Sequence, residues 1–224
     1  QALRDEGVPS EQIVLTGNPV VDALEYIGKS GERNPLLERV FAETQNLKRL
    51  VLTTHRRESF GEILEGNLKV VREFVDKHHD VAVLFPVHPN PTVTAAANEI
   101  LKGVPRVHLL PPLDYPDFIA LLHQAWVIAS DSGGIQEEAP SLGKPLIVLR
   151  ESTERPEVVE AGVAKLAPTP RQFARLLDQA YAEKLGLNQV QDNPFGKGDA
   201  GQRIIQALEK FFQLTPQERS LVQV

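Results

Sequence analysis

The sequence predicts an α/β fold built on a doubly wound parallel sheet, and three observations carry that expectation. Short apolar runs recur at 50–53, 81–85, 107–110, 127–129 and 146–149, each of strand length and bounded by turn residues. Helix-length segments alternate with them, an order that lays parallel strands side by side with helices on both faces. One strand-to-helix turn carries adjacent glycines, Asp131-Ser132-Gly133-Gly134, where a parallel sheet holds phosphate groups.

Composition bounds the class. The 224 residues are enough for one large or two small domains with a proper core. A net charge of −6 argues against a nucleic-acid-binding or anionic-membrane surface. No apolar run is long enough to span a bilayer, and the first residues do not resemble a signal peptide. With no cysteine, disulfides and thiolate-metal sites are excluded, and a cytoplasmic location is the natural expectation.

Taken in order, Gly7-Val8-Pro9-Ser10 breaks an incoming helix, and Ile13-Val14-Leu15 reads as a short strand. Asn18-Pro19 opens a helix to about Ile27, with Asn as N-cap and Pro at the first position. Residues 28–48 mix Gly, Ser, Asn, Pro and charge around a short helix at Leu36–Ala42. After the strand at Leu50–Thr53 comes His55-Arg56-Arg57-Glu58, at the strand exit where open α/β sheets place ligands. A lone His is more often structural, and the arginines read alternatively as the first turn of the next helix. That position disfavours cations, and such a misfit is expected where an anion binds.

The next helix carries an apolar stripe of Ile63, Leu64, Leu68, Val71, Phe74 and Val75, which is core. His78 and His79 close it as capping cations. The strand Val81–Phe85 exits into Pro86-Val87-His88-Pro89-Asn90-Pro91, a rigid loop unable to continue sheet pairing. The strand Val107–Leu110 leads into Pro111 to Phe118, a stiff exposed loop whose apolar and aromatic groups suit the face of a flat base. A helix over Ile119–His123 follows. Beyond Glu157 come a short helix and a strand reaching Lys165, a helix over Arg171–Lys184 capped by Thr169-Pro170, a glycine-rich loop at Asn193–Gly201, and a last helix over Gly201–Phe212.

The stretch from Trp126 to Glu157 reads as a βαβ unit with chemistry at its turn. Ser132 is a good N-cap, and Gly133 and Gly134 leave the N–H groups of the first helical turn open to a ligand. The helix dipole adds about half a positive charge there, which suits a diphosphate. Further along come Gln136, Glu137 and Glu138, and a carboxylate there can accept from two vicinal hydroxyls, as ribose recognition requires. Arg155 stands beyond the second strand and offers a fork to an anion if it returns to the same crevice. The plainer alternative is a glycine turn followed by a solvated acidic helix face.

The string DSGGIQEEAPSLGKPLIVLR followed by TERPE resembles the signature of the bacterial non-hydrolysing UDP-N-acetylglucosamine 2-epimerases. The likeness extends to LTTHRRESFG at 52–61, PVHPNP at 86–91, LLPPLDYPDF at 109–118 and NPFGKGDAG at 193–201. That family resembles the glycosyltransferase-B superfamily, in which two Rossmann-like domains flank a cleft. The resemblance implies that residues 19–200 form the UDP-binding domain of that architecture. It implies that 1–18 end an N-terminal domain and its crossover, and that 201–224 pack back toward that domain. The motifs of the N-terminal domain are absent, so the chain reads as the C-terminal part of the family enzyme, inactive alone.

The same resemblance implies interconversion of UDP-GlcNAc and UDP-ManNAc by elimination and re-addition of UDP, with no cofactor, no metal and a homodimeric complete protein. His55 is then the catalytic residue carried by this chain. Ser132, Gly133 and Gly134 hold the diphosphate, Glu138 the ribose, Arg155 the developing charge, and Leu113 and Phe118 the uracil. Arg56 and His88 are candidates for an adjoining regulatory site, although His88 also reads as a simple capped turn. A UDP-sugar glycosyltransferase and a non-catalytic UDP-sugar-binding module are the rivals on the same architecture, and a hydrolysing epimerase fits these motifs less well.

Overall fold

The computed structural model describes residues 2–27, 34–185 and 193–212. The chain divides into two compact units, one holding 27–194 and the other joining 1–26 to 195–224.

In the larger unit, α3 (Pro35–Glu43) precedes β1 (Lys48–Thr53). Then follow α4 (Glu62–Lys77), β2 (Val81–Pro86), α5 (Pro91–Leu101), β3 (Val107–Leu110), α6 (Tyr115–His123) and β4 (Val127–Ser130). The unit closes with α7 (Gly133–Ser141), β5 (Leu146–Val148), α8 (Pro156–Glu160), β6 (Ala164–Leu166) and α9 (Pro170–Tyr181). The six strands form one parallel sheet in the order β3-β2-β1-β4-β5-β6. This is the doubly wound order of the Rossmann-like α/β fold, and the winding reverses between β1 and β4.

Continuous apolar runs make the strands because both sheet faces are covered. Leu50, Val51, Val83, Leu84, Ile128 and Ile147 are all fully buried. Against one face lies α4, whose Leu64, Leu68, Val71, Phe74 and Val75 recur at helical spacing and are buried. Ile63 falls one residue outside that row and is 39% exposed, so it is not core.

Three further expectations are corrected. Ile13–Leu15 is not a strand: Val14 and Leu15 are exposed, and no strand pairing among the described residues includes them. The loop expected from Pro111 to Phe118 ends early, because Asp114 accepts from Asp117 N at 3.0 Å and starts α6 at Tyr115. Arg56 and Arg57 do not enter the first turn of α4, which opens at Glu62 with Glu62 and Glu65 at its positive end. The rigid loop expected over Pro86–Pro91 gives way at Pro91 to α5, a helix with no counterpart in the expected elements. It begins in the manner of the Asn18-Pro19 start, with Asn90 accepting from Thr92 N at 2.9 Å.

His78 occupies the C-cap of α4, its backbone N–H donating to Phe74 O at 3.0 Å, but its ring is not the expected cation. Its ring lies 3.8 Å from that of Tyr181 and 4.5 Å from that of Phe74, with Nε2 buried and unbonded. Burial, reinforced by Lys77, holds its pKa below the ordinary imidazole value. A depressed histidine binds its proton more readily unfolded, so its stabilising share is present above the unfolded value of about 6.5 and fades as pH falls through the folded one. Denaturant midpoints should therefore fall between pH 7.5 and 5.5, and His78→Phe, which keeps the ring stack, should flatten that decline. An equal decline in the variant would exonerate His78.

The smaller unit contains α1 (Ala2–Asp5), α2 (Pro19–Ile27, whose last residue belongs to the larger unit) and α10 (Ala200–Phe212). The glycine-rich loop finds a structural duty here. Phe195 O accepts from Asn18 N at 2.7 Å, and Asp22 accepts from Ala200 N at 3.2 Å and Gly201 N at 2.9 Å, capping α10. Residues 213–224, which the sequence reading grouped with this helix, lie outside the described residues. Among the described residues no helix is long and apolar enough to cross a membrane.

Candidate functional site

The strand order places a crevice where β1 and β4 diverge, at their carboxyl ends. Thr53 and Ser130 sit opposite each other there, their buried hydroxyls 2.7 Å apart. Beyond them the chain turns outward as Thr54-His55-Arg56 on one side and Asp131-Ser132-Gly133 on the other.

Asp131 binds the two turns together. It is fully buried. Its Oδ2 accepts from Thr54 Oγ1 at 2.9 Å, from His55 N at 3.0 Å and from Arg56 N at 3.0 Å. Its Oδ1 lies 2.8 Å from His55 Nδ1. Burial pushes the carboxyl pKa up, but the His55 hydrogen bond and the backbone N–H donors outweigh it and hold the group below the usual carboxylate range.

Next along, Ser132 caps α7 as its sequence position suggests, its Oγ accepting from Ile135 N at 3.5 Å. Its own N–H donates to Ser130 Oγ at 2.9 Å. Gly133 and Gly134 form the first turn of α7. A side chain at Gly133 would put its Cβ 3.8 Å from Arg56 Nη2, so a guanidinium borders the glycine turn. Helix N-terminus and cation thus converge on one spot, the arrangement an anion requires.

In front of this turn opens a cleft of about 290 Å³. Thr53, Thr54 and His55 line it from β1, and Ser132, Gly134, Ile135 and Glu138 from α7. Its further wall is Pro86 to Pro89 after β2, with Pro112, Leu113, Tyr115 and Phe118 around the start of α6. That wall is mostly apolar and stiffened by proline, with His88 and Tyr115 as its polar side chains.

Glu138 is the carboxylate inside the cleft. It is nearly buried, and Tyr115 donates its hydroxyl to Oε1 at 2.7 Å. Burial pushes the Glu138 carboxyl up and Tyr115 pulls it back, with Glu137 adding upward pressure. The Tyr115 hydroxyl is in turn pushed far above its usual range by burial and by that carboxylate.

Of the residues singled out in the sequence, His55, Ser132, Gly134, Glu138, Leu113 and Phe118 share this cleft, and Gly133 and Arg56 flank its glycine turn. His88 lines the same cleft, its ring centroid 6.1 Å from that of His55, and its Nδ1 accepts from Asn90 N at 3.2 Å. Arg155 is not among the lining residues. Its Nε donates to Glu137 at 2.6 Å on α7, and its N–H donates to Thr153 Oγ1 at 2.9 Å. Thr153 in turn donates to Gln136, which is fully buried. Asp131, Thr54 and Tyr115 lie within the motifs of the sequence but carry no role legible there. The one available signal was an acidic residue directly at the exit of an otherwise apolar strand.

Known proteins resemble the chain along nearly its whole length. Residues 1–209 match the family described as UDP-N-acetylglucosamine 2-epimerase. The chain belongs to that family. A probable UDP-N-acetylglucosamine 2-epimerase of Ralstonia solanacearum is 42% identical over 221 residues, 94% of this chain and 58% of the relative. Among solved structures, an S. aureus protein determined with UDP superposes with a TM-score of 0.86 at 36% identity, over 95% of this chain and 57% of that one. The UDP-GlcNAc 2-epimerase of Neisseria meningitidis, bound to UDP-GlcNAc, gives a TM-score of 0.80 at 36% identity, over 93% of this chain and 58% of that one. The chain therefore spans somewhat more than half the length of these epimerase-family relatives.

Proposed function

We propose that this chain is the UDP-binding portion of a UDP-GlcNAc 2-epimerase. The observation that carries the proposal is the cleft at the β1–β4 divergence. It combines an open Ser-capped helix start with a carboxylate already oriented by Tyr115.

In this reading the diphosphate sits on the N–H groups of Gly133 and Gly134 with the Arg56 guanidinium beside them. Glu138 accepts from the vicinal ribose hydroxyls, and the uracil lies against the apolar wall at Leu113 and Phe118. The overall reaction removes the proton from C2 and breaks the C1–O bond to UDP, leaving a glycal. UDP then re-adds at C1 as a proton returns to the other face of C2. His55, at the mouth of β1, faces the charge that develops on UDP as it leaves, where a fixed donor has its greatest effect. The carboxylates that move the C2 proton are assigned to parts of the complete protein outside this chain.

Calorimetric titration with UDP, against UMP and ADP, tests the reading. UDP should bind more tightly than either control. The chain alone should leave C2 of UDP-GlcNAc free of solvent deuterium. Equal affinity for the three nucleotides would refute the UDP site, and deuterium at C2 would place the proton-transfer groups within this chain.

A further inference from the structure

We propose that Asp131 is a positioning residue that locks His55 as its Nδ1–H tautomer, so that only Nε2 meets the cleft and an anion bound there draws a proton onto the ring.

The argument begins with acceptor capacity. Asp131 has no exposed surface, and both its oxygens are engaged by donors: Thr54 Oγ1, His55 N and Arg56 N, at 2.9 to 3.2 Å. A carboxyl group supplied with that many donors is an anion, and an anionic carboxylate only accepts. The imidazole nitrogen 2.8 Å from Oδ1 must therefore carry the hydrogen. A neutral imidazole has one N–H, so Nε2 is left with a bare lone pair.

That assignment has a consequence in the cleft. The oxygens of a diphosphate are acceptors, and a bare Nε2 facing them brings two lone pairs together. Uptake of one proton from solvent turns Nε2 into a charged donor, and Nδ1 keeps its bond to Asp131. The surrounding charges divide on this step. Asp131 from the β4–α7 turn and Glu138 on α7 favour the imidazolium. Arg56, next in the chain, opposes it, as does His88 from the β2–α5 loop when protonated. Tyr115 on α6 is neutral and committed to Glu138. Without a ligand the cations and anions around His55 are mixed in sign; a diphosphate adds negative charge and shifts the balance toward the protonated ring. This second half of the proposal rests on the cleft being a UDP site; the tautomer does not.

The tautomer is read from long-range proton–nitrogen spectra of the nitrogen-15-labelled chain at pH 8, with His55→Gln identifying the His55 signals. The expected pattern is a protonated Nδ1 with a bare Nε2. A protonated Nε2 in the wild-type chain would overturn the proposal without any variant having to fold. Asp131→Asn, which presents an amide instead of an acceptor-only group, should mix the two tautomers. Proton uptake is then measured by titrating UDP at pH 8 in two buffers of different ionisation heat. The wild-type chain should take up more protons per UDP than His55→Gln. Equal uptake by the two chains would overturn the coupling. Failure of both to bind UDP would overturn the functional reading and the coupling together, while the tautomer would still stand or fall on its own spectrum.

Discussion

Asp131→Ala is expected to lower folding stability by about 2–4 kcal/mol. The substitution removes the acceptor shared by Thr54 Oγ1, two backbone N–H groups and the His55 ring. Each buried donor left unpaired costs roughly 1–3 kcal/mol, and water entering from the cleft recovers part of that. Urea midpoints with an unchanged m-value would read the loss directly. A loss under about 0.5 kcal/mol would mean that water satisfies the donors as well as the carboxylate does. Acid sharpens the test. The folded carboxyl is held below its unfolded value, so its contribution is present above about pH 4 and is lost as pH falls through the folded value. The gap between wild type and variant should therefore narrow on strong acidification.

The second large effect falls on binding. Glu138→Ala should weaken UDP by about 1–3 kcal/mol, roughly 5- to 150-fold in Kd, the usual range for a hydrogen bond to a charged group. The loss should be specific to the sugar. The wild-type chain should prefer UDP over 2′-deoxy-UDP, and Glu138→Ala should treat the two alike. Tyr115→Phe separates orientation from charge. Without the Tyr115 hydroxyl, burial pushes the Glu138 carboxyl up unopposed by its main hydrogen bond. Affinity for UDP should then fall more steeply in the variant than in wild type as pH is lowered from 8 to 6. Unchanged affinity in Glu138→Ala would remove the ribose assignment and leave the Tyr115 bond as a structural brace.

Legibility in the sequence followed the range of the interaction. The strands were visible because a parallel sheet covered on both faces demands continuous apolar runs, as at Val81–Phe85 and Leu146–Val148. The start of α7 was visible because Ser132, Gly133 and Gly134 are neighbours and capping is local. What stayed hidden depends on partners distant in sequence. Asp131 meets Thr54 across 77 residues, and Tyr115 meets Glu138 across 23. No spacing rule connects those positions before the sheet brings them together. Ile13–Leu15 failed for a related reason. Its residues have strand propensity, but a strand exists only where a neighbour supplies the other half of its ladder. The start of α5 was an avoidable miss, since Asn90-Pro91 carries the same local cap as Asn18-Pro19.

The bond from Asp22 to Ala200 joins residues 178 apart. A ribosome releases the first of these long before the second, so the cap that Asp22 gives α10 waits until the six-stranded sheet between them has been synthesised. Closing so long a loop in an unstructured chain carries an entropic penalty that a prefolded insert reduces. The cap from Asp22 can therefore be completed only once Gly201 has emerged.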